Sequence, residues 1–334
     1  MPDIKPTLEQ LTQQLRIARE AGDPSKQGIA LNNLGSHHKE RRDAAKATEY
    51  FLKALELFSV LQDWERKATV LNNLGGTCHD AGQYQKALEY FALALGTYGS
   101  MGHAFGQGMT INNLGGVHLV LKQYDDARNQ FHLAAVFFHS AEAPTWEAQA
   151  LENQAAAEVA LGNTTAAVES YGRALELWQS ANHIERQAMI LNRIGGLRFS
   201  AGEGQRAIDL HGRALALAQR AGNPSLEANT QAAMGRVHAE ARNWKAAQTH
   251  FDEAARLCKQ SGDKRGHALA LLESGKLNIE AGQDLLRSAA AMFREIGDHA
   301  RERAALELMG RASEQNPNPV NQPQISAEGA DKTK

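Results

Sequence analysis

The sequence predicts an all-α fold in which helical hairpins stack side by side as a solenoid. The letters LNNLG at residues 31–35 return unchanged at 71–75 and, as INNLG, at 111–115. Later versions of this slot follow at the same step of 40 residues. A fixed period in this range is typical of repeat proteins, whose units bury their apolar faces against one another. Apolar residues within each unit keep helical spacing, and strand-like alternation is absent.

The first helix of each unit is predicted from the slot itself. Leu31, Leu34 and His38 lie at i, i+3 and i+7, on one face of a helix. The glycine that closes the slot costs about 0.5–1 kcal/mol in a helix interior, so we expect close packing there to offset that cost. Asp23 and Asn223 each precede a proline, which marks them as capping residues where a helix begins.

The second helix of each unit is predicted from a stripe of alanine, aromatic residue and alanine at i, i+4 and i+7. The small residues allow two helices to approach, and the ring fills the space between them. The stripe recurs six times: Ala47, Phe51 and Ala54; Ala87, Phe91 and Ala94; Ala127, Phe131 and Ala134; Ala167, Tyr171 and Ala174; Ala207, His211 and Ala214; Ala247, Phe251 and Ala254. Each unit is therefore expected to be helix, tight turn, helix and short loop.

The repeat region is expected to cover residues 7–313. A lone capping helix is predicted at 7–22, about seven repeats at 24–298, and a closing helix at 300–313. Caps that differ from the internal units are expected because the ends of a solenoid face solvent.

The end of the chain departs from the repeat pattern in two places. The last unit is shortened, so Asp284 is expected to cap its second helix directly. Residues 314–334 are rich in Pro, Asn and Gln and contain almost no apolar residue. Such a segment cannot bury enough surface to offset the entropy of ordering, so the sequence predicts a disordered tail.

The pattern resembles the tetratricopeptide repeat. The resemblance rests on the slot glycine, the aromatic residues Tyr84, Tyr124 and Trp244, and the stripe of the second helix. The usual unit of that family has 34 residues; units of 40 are similar to those of Pins-type spindle adaptors, kinesin light chain and bacterial signalling regulators. The resemblance implies a right-handed superhelix with a concave groove for a protein or peptide partner.

The paired asparagines point away from the buried face, toward the surface expected to line this groove. An amide offers both a donor and an acceptor, as a peptide backbone does. The resemblance implies ligand binding by the residue before LG, which is Asn33, Asn73, Asn113 and Asn153, with Arg193 in the fifth unit. In the alternative interpretation, the amides bridge neighbouring helices.

A second glycine follows the slot in several units, at Gly76, Gly116 and Gly196. Nothing in the hairpin requires it, so we expect a ligand backbone to approach there. Arg236 adds charge at the same surface. The predicted peptide-binding residues are Asn32, Asn33, Asn72, Asn73, Gly76, Asn112, Asn113, Gly116, Asn153, Asn192, Arg193 and Arg236.

Composition restricts the remaining classes of function. The 334 residues carry a formal net charge of −2, which gives no reason to expect a nucleic acid or a membrane surface as partner. Cys78 and Cys258 lie in different repeats, so a disulfide framework is not expected and a reducing cytoplasm is. The sequence contains no HExxH or CxxC motif. We therefore expect no catalytic residues, no metal and no cofactor.

Three functions fit this sequence. The first is a cytoplasmic adaptor or scaffold that binds a partner peptide in its groove. The second is a regulator whose superhelix changes conformation when it binds a signal peptide. The third is a structural scaffold that assembles with itself.

Overall fold

The computed structural model of the protein describes residues 6–277 and 282–315, and this part of the chain is folded into sixteen α-helices without a β-strand. The predicted all-α fold is confirmed. The helices are α1 (Leu8–Glu20), α2 (Pro24–Glu40), α3 (Ala44–Val60), α4 (Trp64–Asp80), α5 (Tyr84–Ser100), α6 (Ala104–Val120), α7 (Tyr124–Ser140), α8 (Pro144–Ala160), α9 (Thr164–Ser180), α10 (Ile184–Ser200), α11 (Gly204–Ala221), α12 (Pro224–Glu240), α13 (Trp244–Ser261), α14 (Lys264–Leu277), α15 (Gln283–Glu295) and α16 (His299–Gln315).

The helices form two compact units, the first ending at His183 and the second beginning at Ile184. In the first unit, α1 is followed by the hairpins α2/α3, α4/α5, α6/α7 and α8/α9. In the second unit, the hairpins α10/α11, α12/α13 and α14/α15 are followed by α16. Consecutive hairpins pack against each other within each unit. We call the first helix of a hairpin its A helix and the second its B helix.

The predicted caps at the start of the A helices are confirmed. The Asp23 carboxylate accepts a hydrogen bond of 3.0 Å from the backbone N–H of Lys26. The Asn223 side chain accepts one of the same length from the N–H of Leu226. Each bond satisfies a donor that the first helical turn leaves without a partner.

The prediction that Asp284 caps α15 was wrong. Gly282 is the N-cap residue, and the backbone N–H of Leu286 already bonds to its carbonyl at 2.9 Å. Asp284 therefore lies inside the first turn, where its carboxylate accepts a hydrogen bond of 2.7 Å from Arg287. The predicted disordered tail lies almost entirely outside the described residues, although α16 extends to Gln315.

Each hairpin is closed by contact between the slot residue of its A helix and the ring column of its B helix. A methyl group at Gly75 would lie 2.5 Å from the ring of Phe91, and one at Gly115 would lie 2.7 Å from that of Phe131. Both rings are at most 2% exposed. The corresponding contacts elsewhere are Gly35 with Phe51, Gly195 with His211, Gly235 with Phe251 and Gly275 with Leu286. These glycines are therefore required by packing.

None of the described helices combines the length and apolar character that crossing a membrane requires.

Gly115 and Gly116 provide a matched test of this packing. Gly115→Ala is expected to lower the free energy of unfolding by about 1–3 kcal/mol, because the methyl group would overlap the Phe131 ring. Gly116→Ala is expected to raise it by about 0.4–1 kcal/mol, because its methyl group would meet no atom within 4 Å. Urea denaturation of the two variants measures both values. Equal effects of the two substitutions would contradict the assigned packing.

Candidate functional site

Asparagine side chains bond to one another between successive A helices of the first unit. In each bond, an amide Nδ2 donates to the Oδ1 of an asparagine 41 residues earlier. The three bonds are Asn73 to Asn32 at 3.0 Å, Asn113 to Asn72 at 3.1 Å and Asn153 to Asn112 at 3.0 Å. We call these three pairs the asparagine ladder.

The ladder shows that the amides do bridge neighbouring helices, as the alternative interpretation held. Asn72 is buried, with 8% of its surface exposed, and the other ladder residues are half-buried. Two amides offer four N–H donors and four lone pairs, so one mutual bond leaves three of each for other partners. Peptide binding by these residues stays a prediction that their mutual bonds do not oppose.

Asn33 does not belong to the ladder, although it occupies the same repeat position as Asn73. It lies on α2, the first A helix, so no earlier asparagine is present to accept its amide. Its side chain is half-buried in a shallow hollow beside Leu11 and His37. Of the five predicted binding asparagines at or before Asn73 and Asn113, Asn33 alone forms no hydrogen bond with a residue that the structure describes.

Three predicted site residues belong to the second unit. Asn192 donates from Nδ2 to the Thr230 hydroxyl, and its Oδ1 lies 2.9 Å from Nδ1 of His211. Its amide is thus part of a buried polar network between α10, α11 and α12. Arg193 and Arg236 are exposed. The structure assigns these three residues no part in the ladder.

The two predicted groove glycines of the first unit differ in their surroundings. Gly116 is open, since a methyl group there would meet no other atom within 4 Å. At Gly76, the methyl group would lie 2.5 Å from Nζ of Lys39, which reaches over from α2 and pairs with Asp80 at 3.7 Å. Only Gly116 of this pair therefore leaves bare backbone accessible to a ligand.

The spacing of 41 residues also joins side chains two helical turns away from the ladder. Seven residues before Asn112 and Asn153, the rings of Phe105 and Trp146 make contact with centroids 5.5 Å apart. Seven residues after Asn32 and Asn73 come Lys39 and Asp80, the ion pair described above. Seven residues make nearly two full turns, so these pairs share one side of the A helices.

We call this side of α2, α4, α6 and α8 the ladder face; it carries the asparagine ladder, Gly116, the Phe105–Trp146 pair and the Lys39–Asp80 pair. The aromatic pair was missed in the sequence because it occurs in a single repeat. The spacing of 41 between two aromatic residues at the start of adjacent A helices is the signal that could have identified it.

Buried histidines are the main electrostatic feature of the second unit. His211 is 2% exposed and occupies the position that phenylalanine takes in most repeats. Burial lowers the pKa of His211 to about 4, and the nearby positive charge of Arg236 lowers it further. Burial also lowers the pKa values of His250 and His267. Within the described part of the chain, no group of three or more His, Cys, Asp or Glu residues could hold a metal ion.

Comparisons with known proteins agree with this repeat architecture. A family model described as tetratricopeptide repeat matches residues 26–99 and 186–260, so both units carry repeats of this family. A search of curated proteins finds no match.

Several solved structures resemble the chain in fold. The apo form of the quorum sensor NprR from B. thuringiensis is 15% identical, with a TM-score of 0.62 and coverage of 93% of both chains. A Rap protein in complex with competence and sporulation factor is 14% identical, with a TM-score of 0.52, covering 91% of this chain and 80% of that one. BtubC (BKLC) from P. vanneervenii is 21% identical, with a TM-score of 0.58, covering 67% of this chain and 92% of that one. At these identities, the likeness shows the fold alone.

The ladder bonds predict a cost in stability when one amide is removed. Asn113→Ala is expected to lower the free energy of unfolding by about 1–3 kcal/mol, because the buried Oδ1 of Asn72 loses its donor. Asn33→Ala is the matched control at the same repeat position and is expected to change stability by less than about 0.5 kcal/mol. Urea denaturation distinguishes the two. If both variants are as stable as the wild type, the ladder does not hold the A helices together.

His211 predicts a loss of stability at acid pH. Its folded pKa of about 4 lies below the unfolded value of about 6.5, so the unfolded state takes up the proton first as pH falls. Stability from this group is complete above pH 6.5 and is expected to decline by up to about 3 kcal/mol toward pH 4. The difference in unfolding free energy between His211→Phe and wild type, followed from pH 7 to 4, measures this term. A difference that stays constant over that range would contradict the assignment.

Proposed function

We propose that the protein is an adaptor that binds a peptide segment of a partner protein across the ladder face. The observation that carries this proposal is the combination of an ordered row of amides with open backbone at Gly116. The remaining donors and acceptors of the ladder suit a peptide backbone, whatever its side chains.

Pairing of the amides favours such binding energetically. An exposed asparagine side chain must lose rotamer freedom when it binds a ligand, at a cost of about 0.5–1.5 kcal/mol for each immobilised side chain. In the ladder, each amide is already held by its partner at 3.0–3.1 Å. The surface is therefore arranged before the ligand arrives. No catalytic step belongs to this proposal, and a reducing cytoplasm fits the two unpaired cysteines.

A second candidate function is a regulator that changes conformation when it binds its ligand. It is favoured by the similarity to NprR, which is described as a quorum sensor, and to a Rap protein in complex with a factor. The two functions share the ladder face and differ in its consequence. A decrease in solution radius on ligand binding, measured by small-angle X-ray scattering, would select the regulator, and an unchanged radius would select the adaptor.

Gly116→Arg tests the ladder face as the binding surface. Peptides enriched from a phage-displayed random library on the wild-type chain are expected to lose binding to this variant, because the new side chain fills the open backbone region. The fold should be retained, since no atom lies within 4 Å of the added Cβ. Melting temperature and peptide affinity are measured on the same preparation.

Gly96→Arg is the matched control for this substitution. Gly96 lies on the B helix α5, is exposed, and also has no atom within 4 Å of an added Cβ. This variant is expected to bind the enriched peptides as the wild type does. If Gly116→Arg folds and binds equally well, the ligand lies elsewhere and the proposed surface is wrong.

A further inference from the structure

Two aromatic side chains meet at the N-terminal end of the ladder face, between α6 and α8. The rings of Phe105 and Trp146 lie 5.5 Å apart between centroids and are inclined at 88°. Trp146 is 45% exposed despite this contact. A half-exposed tryptophan that is fixed by its neighbours has the character of a binding hot spot, because it offers a large contact area at low entropic cost.

A third ring holds this pair in place from below. Phe138 on α7 is 1% exposed, and its centroid lies 5.7 Å from that of Phe105 and 5.9 Å from that of Trp146. Gly108 makes room for it, since a methyl group there would lie 3.0 Å from the Phe138 ring. Trp146 is therefore supported on two sides, and its remaining surface faces solvent.

The aromatic pair occurs once on the ladder face, whereas the asparagine pair occurs three times. At the same positions, the gap between α2 and α4 carries Ser25 and Arg66, and the gap between α4 and α6 carries Glu65 and Gly106. The centre of the face is thus the same from helix to helix, while its N-terminal row changes. A repeated centre suits the backbone of a ligand, and a changing row suits its side chains.

The charge around the aromatic pair is negative. Glu65 on α4 and Glu142 in the turn before α8 are exposed, and neither carboxylate forms an ion pair with a residue that the structure describes. Residues 1–183 contain 20 Asp and Glu against 15 Lys and Arg. This potential attracts cationic segments and disfavours acidic ones.

On the premise that a peptide binds across the ladder face, we infer that Phe105 and Trp146 form the anchor that selects it. The occupant is a basic segment of a partner protein with one bulky apolar side chain between lysines or arginines. The apolar side chain packs on the exposed part of Trp146, and the flanking cations lie near Glu65 and Glu142. The segment's backbone continues along the asparagine ladder.

The test uses the full chain and peptides of about ten residues, a length that spans four A helices spaced about 8–10 Å apart. A phage-displayed random library is selected on the wild type, and enriched sequences are synthesised with a fluorescent label. Enriched peptides are expected to share an apolar residue flanked by Lys or Arg. A set that is acidic or lacks this pattern, or the absence of any enriched peptide, would overturn the inference.

Substitutions then locate the anchor by fluorescence anisotropy. Trp146→Ala is expected to weaken binding at least about 30-fold, the loss typical of a hot spot. Trp64→Ala is the matched control: Trp64 is 47% exposed in the first turn of α4 and is not part of the pairs that join A helices. This control is expected to change affinity less than about 2-fold. Equal affinities for the two variants would overturn the anchor.

Glu65→Lys tests the inference without disturbing the packed rings, and is expected to weaken binding at least about 5-fold at low salt. Unchanged affinity would contradict the assigned charge selection. Gly116→Arg, measured with the same peptides, separates the two proposals. If it abolishes binding while Trp146→Ala does not, the anchor is wrong and the ladder face stands. If it leaves binding intact, the ladder face itself is wrong.

Discussion

The contact between the slot glycine of an A helix and the ring of its B helix is the constraint on which each unit depends. At Gly75, any side chain would occupy the space of the Phe91 ring. The contact holds the helices of a hairpin close enough to bury the alanines on either side of the ring completely. Because the contact recurs every 40 residues, successive A helices take the same orientation. That regularity brings each asparagine amide to hydrogen-bonding distance of one 41 residues away.

The ladder ends where this regularity changes. In the α8/α9 hairpin, Ala155 replaces the slot glycine opposite Tyr171, and Glu152 replaces the first asparagine. Glu152 is 6% exposed, and one of its oxygens accepts a hydrogen bond of 2.7 Å from the Trp178 indole N–H. This contact directs the side chain toward its own hairpin. The first unit therefore has three asparagine pairs across four A helices, and the sequence change at Glu152 is a structural feature of the fourth.

The sequence predicted what recurs and failed where a feature occurs once or depends on packing between repeats. The helices, the capping roles of Asp23 and Asn223, and the close contact at the slot glycines follow from spacing alone. The bonds between asparagines could not be predicted, because the offset of 41 follows from how neighbouring A helices pack sideways. The role given to Asp284 was wrong because helix propagation from Gly282 sets the start of α15. Phe105 and Trp146 were missed because each stands alone in its repeat column.

The structural and the binding interpretations of the asparagines are compatible, since one arrangement serves both. A mutual bond leaves most of the donors and acceptors of each pair unused, and it fixes the side chains that present them. The same amides in an unpaired state would lose conformational freedom on binding, and affinity would fall accordingly. A ladder of identical pairs can recognise only what every peptide shares, which is its backbone. Selectivity must therefore come from the rows that differ between helices, from the Lys39–Asp80 pair over Gly76 to the aromatic pair between α6 and α8.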